Sequence, residues 1–271
     1  MLDFKQTVRV AFRKIGYEIA KLQPPLGDGY EEIRPLATYA PWLKDGDFIK
    51  TFEAVFPYTM VDKYRCYELW MLIPQVLHID GAILEVGTWK GGTGGIICQR
   101  AKLLDLRKNI YLADTFTGVP KASEKDSRYV GGEHNNASEK ELHELLKSRL
   151  KLDNYKLLKG VFPDETVHLI SDDKFCFCHI DVDVYDSAKD IVDWIWPRLQ
   201  IGGIIVYDDY GYIACNGITD FVNEQQEMID RNIIYNLNGH AVVTKLRDIS
   251  TSEEAIDRDR VLKRQPVMEP A

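Results

Sequence analysis

Apolar positions recur along the chain in two rhythms. Short unbroken apolar runs of strand length alternate with stretches where apolar residues return every third or fourth position. These are the periods of buried strands and of one-sided helices. Residues 3–22 start in the helical rhythm. Phe4, Val8, Phe12, Ile15 and Ile19 share a stripe, with Lys5, Arg9, Arg13 and Lys14 between them. Pro24, Pro25, Gly27, Gly29, Pro35 and Pro41 then break the pattern into a linker. Two more helices are predicted near 45–56 and 62–78.

From residue 82 strands and helices alternate. AILEVG precedes the helix TGGIICQRAKLL. NIYLAD precedes SEKELHELLKSRL, whose Ser138 and Glu141 have capping-box spacing. YKLLKG precedes the short helix ETVHLI, KFCFCHIDVD precedes SAKDIVDWIWPRL, and GGIIVYDD precedes GITDFVNEQQEMI. NIIYNL and HAVVTKL flank Asn-Gly, a hairpin signal. The pattern predicts an α/β fold built on a doubly wound, mostly parallel seven-stranded sheet, with an antiparallel C-terminal hairpin at one side. Beyond Leu246 the chain is charged, carries Pro266 and Pro270, and reads as a loose tail.

Composition narrows the classes. A chain of 271 residues, 45% hydrophobic, suffices for one α/β domain with a buried core. The net charge of −8 argues against a nucleic-acid partner. No apolar run reaches the ~18 residues of a transmembrane segment. The N-terminus lacks the apolar core and cleavage site of a signal peptide, so a cytoplasmic location is expected. Its basic amphipathic helix would pack on the domain or on a second subunit of a homo-oligomer, or make weak contact with a membrane surface. Five scattered cysteines form no disulfide framework. Cys176 and Cys178 are expected on one face of a strand as buried small hydrophobes.

Three features carry chemistry. In ILEVGTWKGGTGG a strand ends at Glu85, and Gly87, Gly91 and Gly92 turn the chain into a helix. Ligands of doubly wound folds sit at such turns. The spacing is not that of a dinucleotide site, and a purely structural turn is the alternative. Asp114, ending the next strand, can bind ribose hydroxyls or cap a helix. Asp181 and Asp183 end one apolar strand, and Asp208 and Asp209 end the next. Four converging carboxylates repel one another unless a hard divalent cation such as Mg²⁺, Mn²⁺ or Ca²⁺ holds them together. Taken singly, each could instead be a helix cap. Residues 117–138 form a long polar stretch, either an active-site lid or a surface loop, where Glu133 and His134 are candidates to touch an acceptor.

With TMVDKYRCYEL, ILEVGTWKGGTGG, LADTFTGVP, LLKGVFPDE, HIDVDVYDSAKD and GGIIVYDDYG assembled, the chain resembles the macrocin O-methyltransferase family over roughly residues 40–225. The resemblance implies a Rossmann-like class I methyltransferase fold. It also implies S-adenosyl-L-methionine as cofactor and Mg²⁺ (or Mn²⁺) as metal. The acceptor would be a small molecule or glycan, methylated on a hydroxyl of a sugar or glycosylated natural product. The alternative is a catechol-type enzyme acting on a small aromatic diol. By the same resemblance Asp181, Asp208 and Asp209 are metal ligands and Asp183 is the general base. Glu85, Gly87 and Asp114 contact the cofactor, with Gly91 and Thr93 in the same turn and Thr115 and Phe116 beside the adenosine. Gly160 and Phe162 lie near the adenine, and Met60 and Val61 line the cofactor. The implied layout is a helical extension and cap over 1–78, the methyltransferase domain over 79–247, and a tail over 248–271.

Overall fold

Seven strands form where the alternation places them: β1 (Ala82–Val86), β2 (Ile110–Asp114), β3 (Lys156–Lys159), β4 (Phe175–Ile180), β5 (Leu199–Tyr207), β6 (Arg231–Tyr235) and β7 (Ala241–Lys245). The computed structural model describes residues 29–31, 33 and 37–249. The helix expected over 3–22 and the tail from 250 onward lie outside the described residues. Contacts divide the chain into Met1–Leu36 and Ala37–Ala271, and all seven strands belong to the second unit.

The strands form one sheet in the order β3-β2-β1-β4-β5-β7-β6. The first five are parallel, and β7 pairs antiparallel with both β5 and β6. Every residue of β1 and β4 is buried, as continuous apolar strands in the middle of a parallel sheet must be. One face is covered by α1 (Gly46–Val55), α2 (Lys63–Leu72), α3 (Gly92–Leu103) and α4 (Glu139–His143). The other is covered by α5 (Tyr185–Ile195) and α6 (Asn216–Asn223). The helices over 46–76, grouped by sequence with an N-terminal extension, share the first core with the sheet. Among the described residues no helix is long and apolar enough to cross a membrane.

Local departures from the sequence reading have physical causes. Ala82 pairs with Phe175 but Ile83 pairs with Phe177, so Cys176 is the extra residue of a bulge. The bulge inverts the alternation. Cys176 therefore faces the α1–α4 core and Cys178 the α5–α6 core, not one common face. Both are buried and free. The helix expected to run to residue 229 stops at Asn223. Beyond it Gln225 turns inward to donate to the Tyr207 hydroxyl at 3.2 Å and accept from Arg231 at 2.6 Å. The helix expected over 138–150 starts on Ser138 as predicted, but continues past His143 as a wider π-helical turn over Glu144–Arg149. The hairpin turns through five residues, 236–240, instead of a two-residue Asn-Gly turn.

Helix caps come from near and far. Asp45 and Asp62 cap α1 and α2 from their own N-cap positions. No side chain at its own N-cap serves α5. Asp126, from the 117–138 segment, accepts the Tyr185 N–H at 3.0 Å and, through its other oxygen, the Ser123 N–H at 3.0 Å. A β-carbon on Gly217 would lie 2.0 Å from the same Asp126 carboxylate, so glycine there keeps the berth open. Asp126→Ala should therefore destabilise the protein by about 1 kcal/mol, the usual value of a cap. It should also speed proteolysis within 117–138. Urea unfolding and limited digestion test both, and wild-type digestion kinetics would contradict the anchoring role.

Candidate active site

A cavity of about 330 Å³ opens at the carboxyl ends of the parallel strands. It sits where β1 sends its connection to one side of the sheet and β4 to the other, the position at which open α/β sheets bind ligands. Gly87 lies in its wall at φ +93°. A β-carbon there would fall 1.6 Å from the Asp181 carbonyl oxygen, so the strand end can pass β4 only as glycine.

On one side, Asp114 accepts the Trp89 N–H and the Phe116 N–H, each at 2.7 Å. Burial pushes its carboxyl up, and these two donors pull it back. The Thr115 hydroxyl donates to the Gly118 carbonyl at 2.8 Å. Met60, Val61, Thr93, Gly160 and Phe162 also line the cavity, as do Asp114 and Thr115. Three expected cofactor contacts are placed elsewhere. Phe116 packs against the α1–α4 core, and Gly91 faces Leu142. Glu85 is fully buried, because strand alternation turns it beneath α3 and not toward the strand's end. Its Oε1 lies 2.9 Å from His179 Nδ1.

The floor is made of carboxylates. β4 ends at Ile180, and Asp183 follows at φ +65°, so the strand has turned and both Asp181 and Asp183 reach the cavity. Asp209 has the same left-handed backbone, φ +62°, after β5. One oxygen each from Asp181, Asp208 and Asp209 lies within 4.8 Å of the others. Removal from water and then mutual repulsion push Asp181 and Asp209 well above the usual carboxylate range. Asp208 goes the other way. Burial would raise it, but the facing imidazoles of His179 and His240 and the Arg65 guanidinium hold it far below.

Those partners are the part that sequence reading missed. Arg65, buried on α2, pairs with Asp208 Oδ2, reaches Asp209 Oδ1 at 3.5 Å and donates to Asp62 at 2.9 Å. The Tyr212 ring lies 5.0 Å from its guanidinium carbon. His240 Nε2 is 2.6 Å from Asp208 Oδ1, and His240 Nδ1 is 2.6 Å from Glu68 Oε2. Asn236 and Asn238, in the hairpin loop, also donate to Glu68. Burial opposes charge on His179, but Asp208 and Glu85 lift it to about 10. The one sequence signal for this network was a histidine inside the apolar run KFCFCHID.

The 117–138 segment roofs the cavity. Its Tyr129 hydroxyl donates to Asp183 Oδ1 at 2.7 Å, and His134 Nε2 lies 4.0 Å from Asp183 Oδ2. Glu133 does not line the cavity. Its carboxylate accepts the Val130 and Gly131 N–H groups at 2.8 and 3.0 Å and stiffens the roof from outside. Lys121 fastens the roof to Asp164 and Asp190 at 2.6 and 2.7 Å. Asp181 and Asp209 keep carboxylate oxygens close together on the floor, and an all-oxygen set of this kind fits a hard divalent cation beside the Arg65-paired Asp208.

The family described as Macrocin-O-methyltransferase (TylF) matches residues 51–242. A relative from Streptomyces olivaceus, 8-demethyl-8-(2,3-dimethoxy-alpha-L-rhamnosyl)-tetracenomycin-C 4'-O-methyltransferase, is 29% identical over 191 residues, covering 62% of this chain and 72% of the relative. The structure of the O-methyltransferase NovP aligns with a TM-score of 0.60 at 23% identity, covering 70% of this chain and 83% of that one. SAH-bound methyltransferase PaMTH1 from Podospora anserina aligns with a TM-score of 0.52 at 14% identity, covering 75% and 88%. Both have the same fold as this chain.

The Arg65–Asp208 pair should dominate the stability of this end of the sheet. Removing one member of a buried pair typically costs ~3–5 kcal/mol. Arg65→Met should lower the unfolding midpoint accordingly, and adding Asp208→Asn should recover part of the loss. An Arg65→Met protein as stable as wild type would exclude this role.

Proposed function

The chain belongs to the macrocin O-methyltransferase family of S-adenosylmethionine-dependent enzymes, and on that footing we propose that its acceptor is a hydroxyl on a sugar or glycosylated small molecule, activated at a divalent-metal site formed by Asp181, Asp208 and Asp209. The observation that carries this reading is the convergence of those three carboxylates within 4.8 Å on the cavity floor, with Asp183 beside them. Five buried free cysteines support a reducing compartment, the cytoplasm, as its location.

The division of labour follows from placement. The carboxylate of Asp114, already fixed by two backbone donors, presents its remaining lone pairs to the cavity and suits a ribose diol. Gly87 and Phe162 both line the cavity, and Phe162 offers an apolar wall for a flat ring. When bound, a hard dication at the three aspartates supplies Lewis acidity that lowers the pKa of an acceptor hydroxyl. Asp183 takes that proton at Oδ2, because its Oδ1 is occupied by the Tyr129 hydroxyl. The roof excludes water and holds the acceptor in line with the methyl group. Such alignment is a large part of the rate when the donor is already activated.

The test uses the full chain with S-adenosylmethionine against a panel of deoxysugar glycosides, nucleotide sugars and catechols. Turnover is expected with a sugar hydroxyl, abolished by EDTA and restored by Mg²⁺. Asp183→Asn should lower kcat by ~10²–10⁴-fold and leave S-adenosylhomocysteine affinity unchanged in calorimetry. Asp114→Ala should do the reverse, weakening that affinity at least ~10-fold, as loss of a charge-assisted hydrogen bond implies. Full turnover in excess chelator would overturn the metal assignment, and turnover of catechols alone would overturn the sugar.

A further inference from the structure

Beneath the carboxylate floor lies a second constellation that methyl transfer does not use. His179 on β4, Asp208 after β5 and His240 before β7 converge, each contributing one ligand atom within 4.8 Å of the others. His240 Nε2 is 2.6 Å and His179 Nε2 is 3.7 Å from the same oxygen, Asp208 Oδ1. All three side chains are buried. His179 Nε2 has no hydrogen-bond partner, although it is fully removed from solvent and faces this point. A buried imidazole nitrogen left in that state lacks the partner that buried polar atoms nearly always have.

We propose that His179, Asp208 and His240 form a binding site for a borderline transition-metal dication of the Zn²⁺ class, distinct from the hard-cation site on the aspartates above it. Three observations converge. First, two imidazoles and one carboxylate suit Zn²⁺ or Co²⁺, whereas Mg²⁺ favours oxygen alone. Secondly, the spacing is near what an ion needs. Metal–ligand bonds of about 2.0–2.1 Å place tetrahedral ligand atoms roughly 3.3 Å apart; His179 Nε2 stands 3.7 Å from Asp208 Oδ1, and the 2.6 Å His240–Asp208 hydrogen bond would open to admit the ion. Thirdly, the outer atoms are already set. Glu85 Oε1 lies 2.9 Å from His179 Nδ1, and Glu68 Oε2 lies 2.6 Å from His240 Nδ1. Each histidine thus has a carboxylate behind it and its far nitrogen aimed inward, the arrangement that orients imidazoles for metal binding and raises their basicity. It also gives Glu85 an occupation, as the partner that orients His179. Asp208 forms part of the cavity wall, and the two histidines lie behind it.

The proposal does not rest on the Mg²⁺ reading, although the two sites share Asp208. The full-length protein, stripped of metal and then saturated with Mg²⁺, is titrated with Co²⁺. One equivalent should bind with the intense visible d–d bands of a four-coordinate Co²⁺ centre, and Zn²⁺ should displace it. His179→Gln should weaken Co²⁺ binding at least ~100-fold, since it removes a direct ligand. Glu68→Gln and Glu85→Gln should each weaken it by ~10–100-fold, the usual effect of losing an orienting partner. Circular dichroism confirms that each variant is folded, and the two glutamate variants decide the matter if His179→Gln is not. Asp181→Asn and Asp209→Asn should leave the Co²⁺ spectrum in place while removing Mg²⁺-dependent turnover. Retained Mg²⁺-dependent turnover in those two variants would sink the catalytic-metal reading and leave this one standing. No Co²⁺ bands, or bands lost with Asp181→Asn but kept in the histidine and glutamate variants, would overturn the proposal and leave the histidines as hydrogen-bonding partners only.

Discussion

Asp208 carries a negative charge almost out of reach of water, and its two oxygens are divided between Arg65 and His240. A buried ion without partners costs several kcal/mol, so the elements that supply those partners cannot be placed freely. Arg65 fixes α2 against the end of β5. His240 fixes the hairpin loop, and Glu68 behind it returns the constraint to α2. The floor of the cavity is thus assembled from segments about 170 residues apart in sequence. The remaining aspartates inherit their positions from this knot, because Asp209 adjoins Asp208 and Asp181 directly follows the neighbouring strand.

Local periodicity made much of this legible. β1 and β4 announce themselves as apolar runs, each broken by one polar residue, because both their faces are covered, and Ser138 marks a helix start that the structure keeps. The four aspartates were readable because carboxylates ending two apolar strands have no packing reason to be there. What stayed hidden depends on tertiary partners. The bulge at Cys176 leaves no trace in composition, yet it reverses the facing of every later residue of β4 relative to Phe175. Glu85 was misplaced because a strand's last carboxylate can point past the sheet or beneath a helix, and only His179 decides between them. Arg65 and Glu68 sit in a helix whose polar residues look like a solvated face until the hairpin arrives.

The roof is held at its middle by chemistry that has other uses. Asp126 satisfies the start of α5, the helix that follows the Asp181–Asp183 turn, and Tyr129 holds one oxygen of Asp183 itself. A segment rich in polar residues therefore adopts one conformation without an apolar core of its own. Its order comes from satisfying groups that the domain would otherwise leave exposed or unpaired. Roof position and the orientation of the Asp183 carboxylate are consequently one variable.

β7 lies inside the sheet, between β5 and β6, although it is the last strand along the described chain. A polypeptide leaving the ribosome displays β5 with one edge bare until β7 has followed it. That edge carries unpaired N–H and C=O groups able to pair with another nascent chain. Roughly thirty residues separate the two strands, so at about 5–20 residues per second the exposure lasts a few seconds. Throughout that interval Asp208 is without His240. The ligand end of the sheet can close only after β7 has emerged, so this end of the enzyme cannot fold strand by strand as it is made.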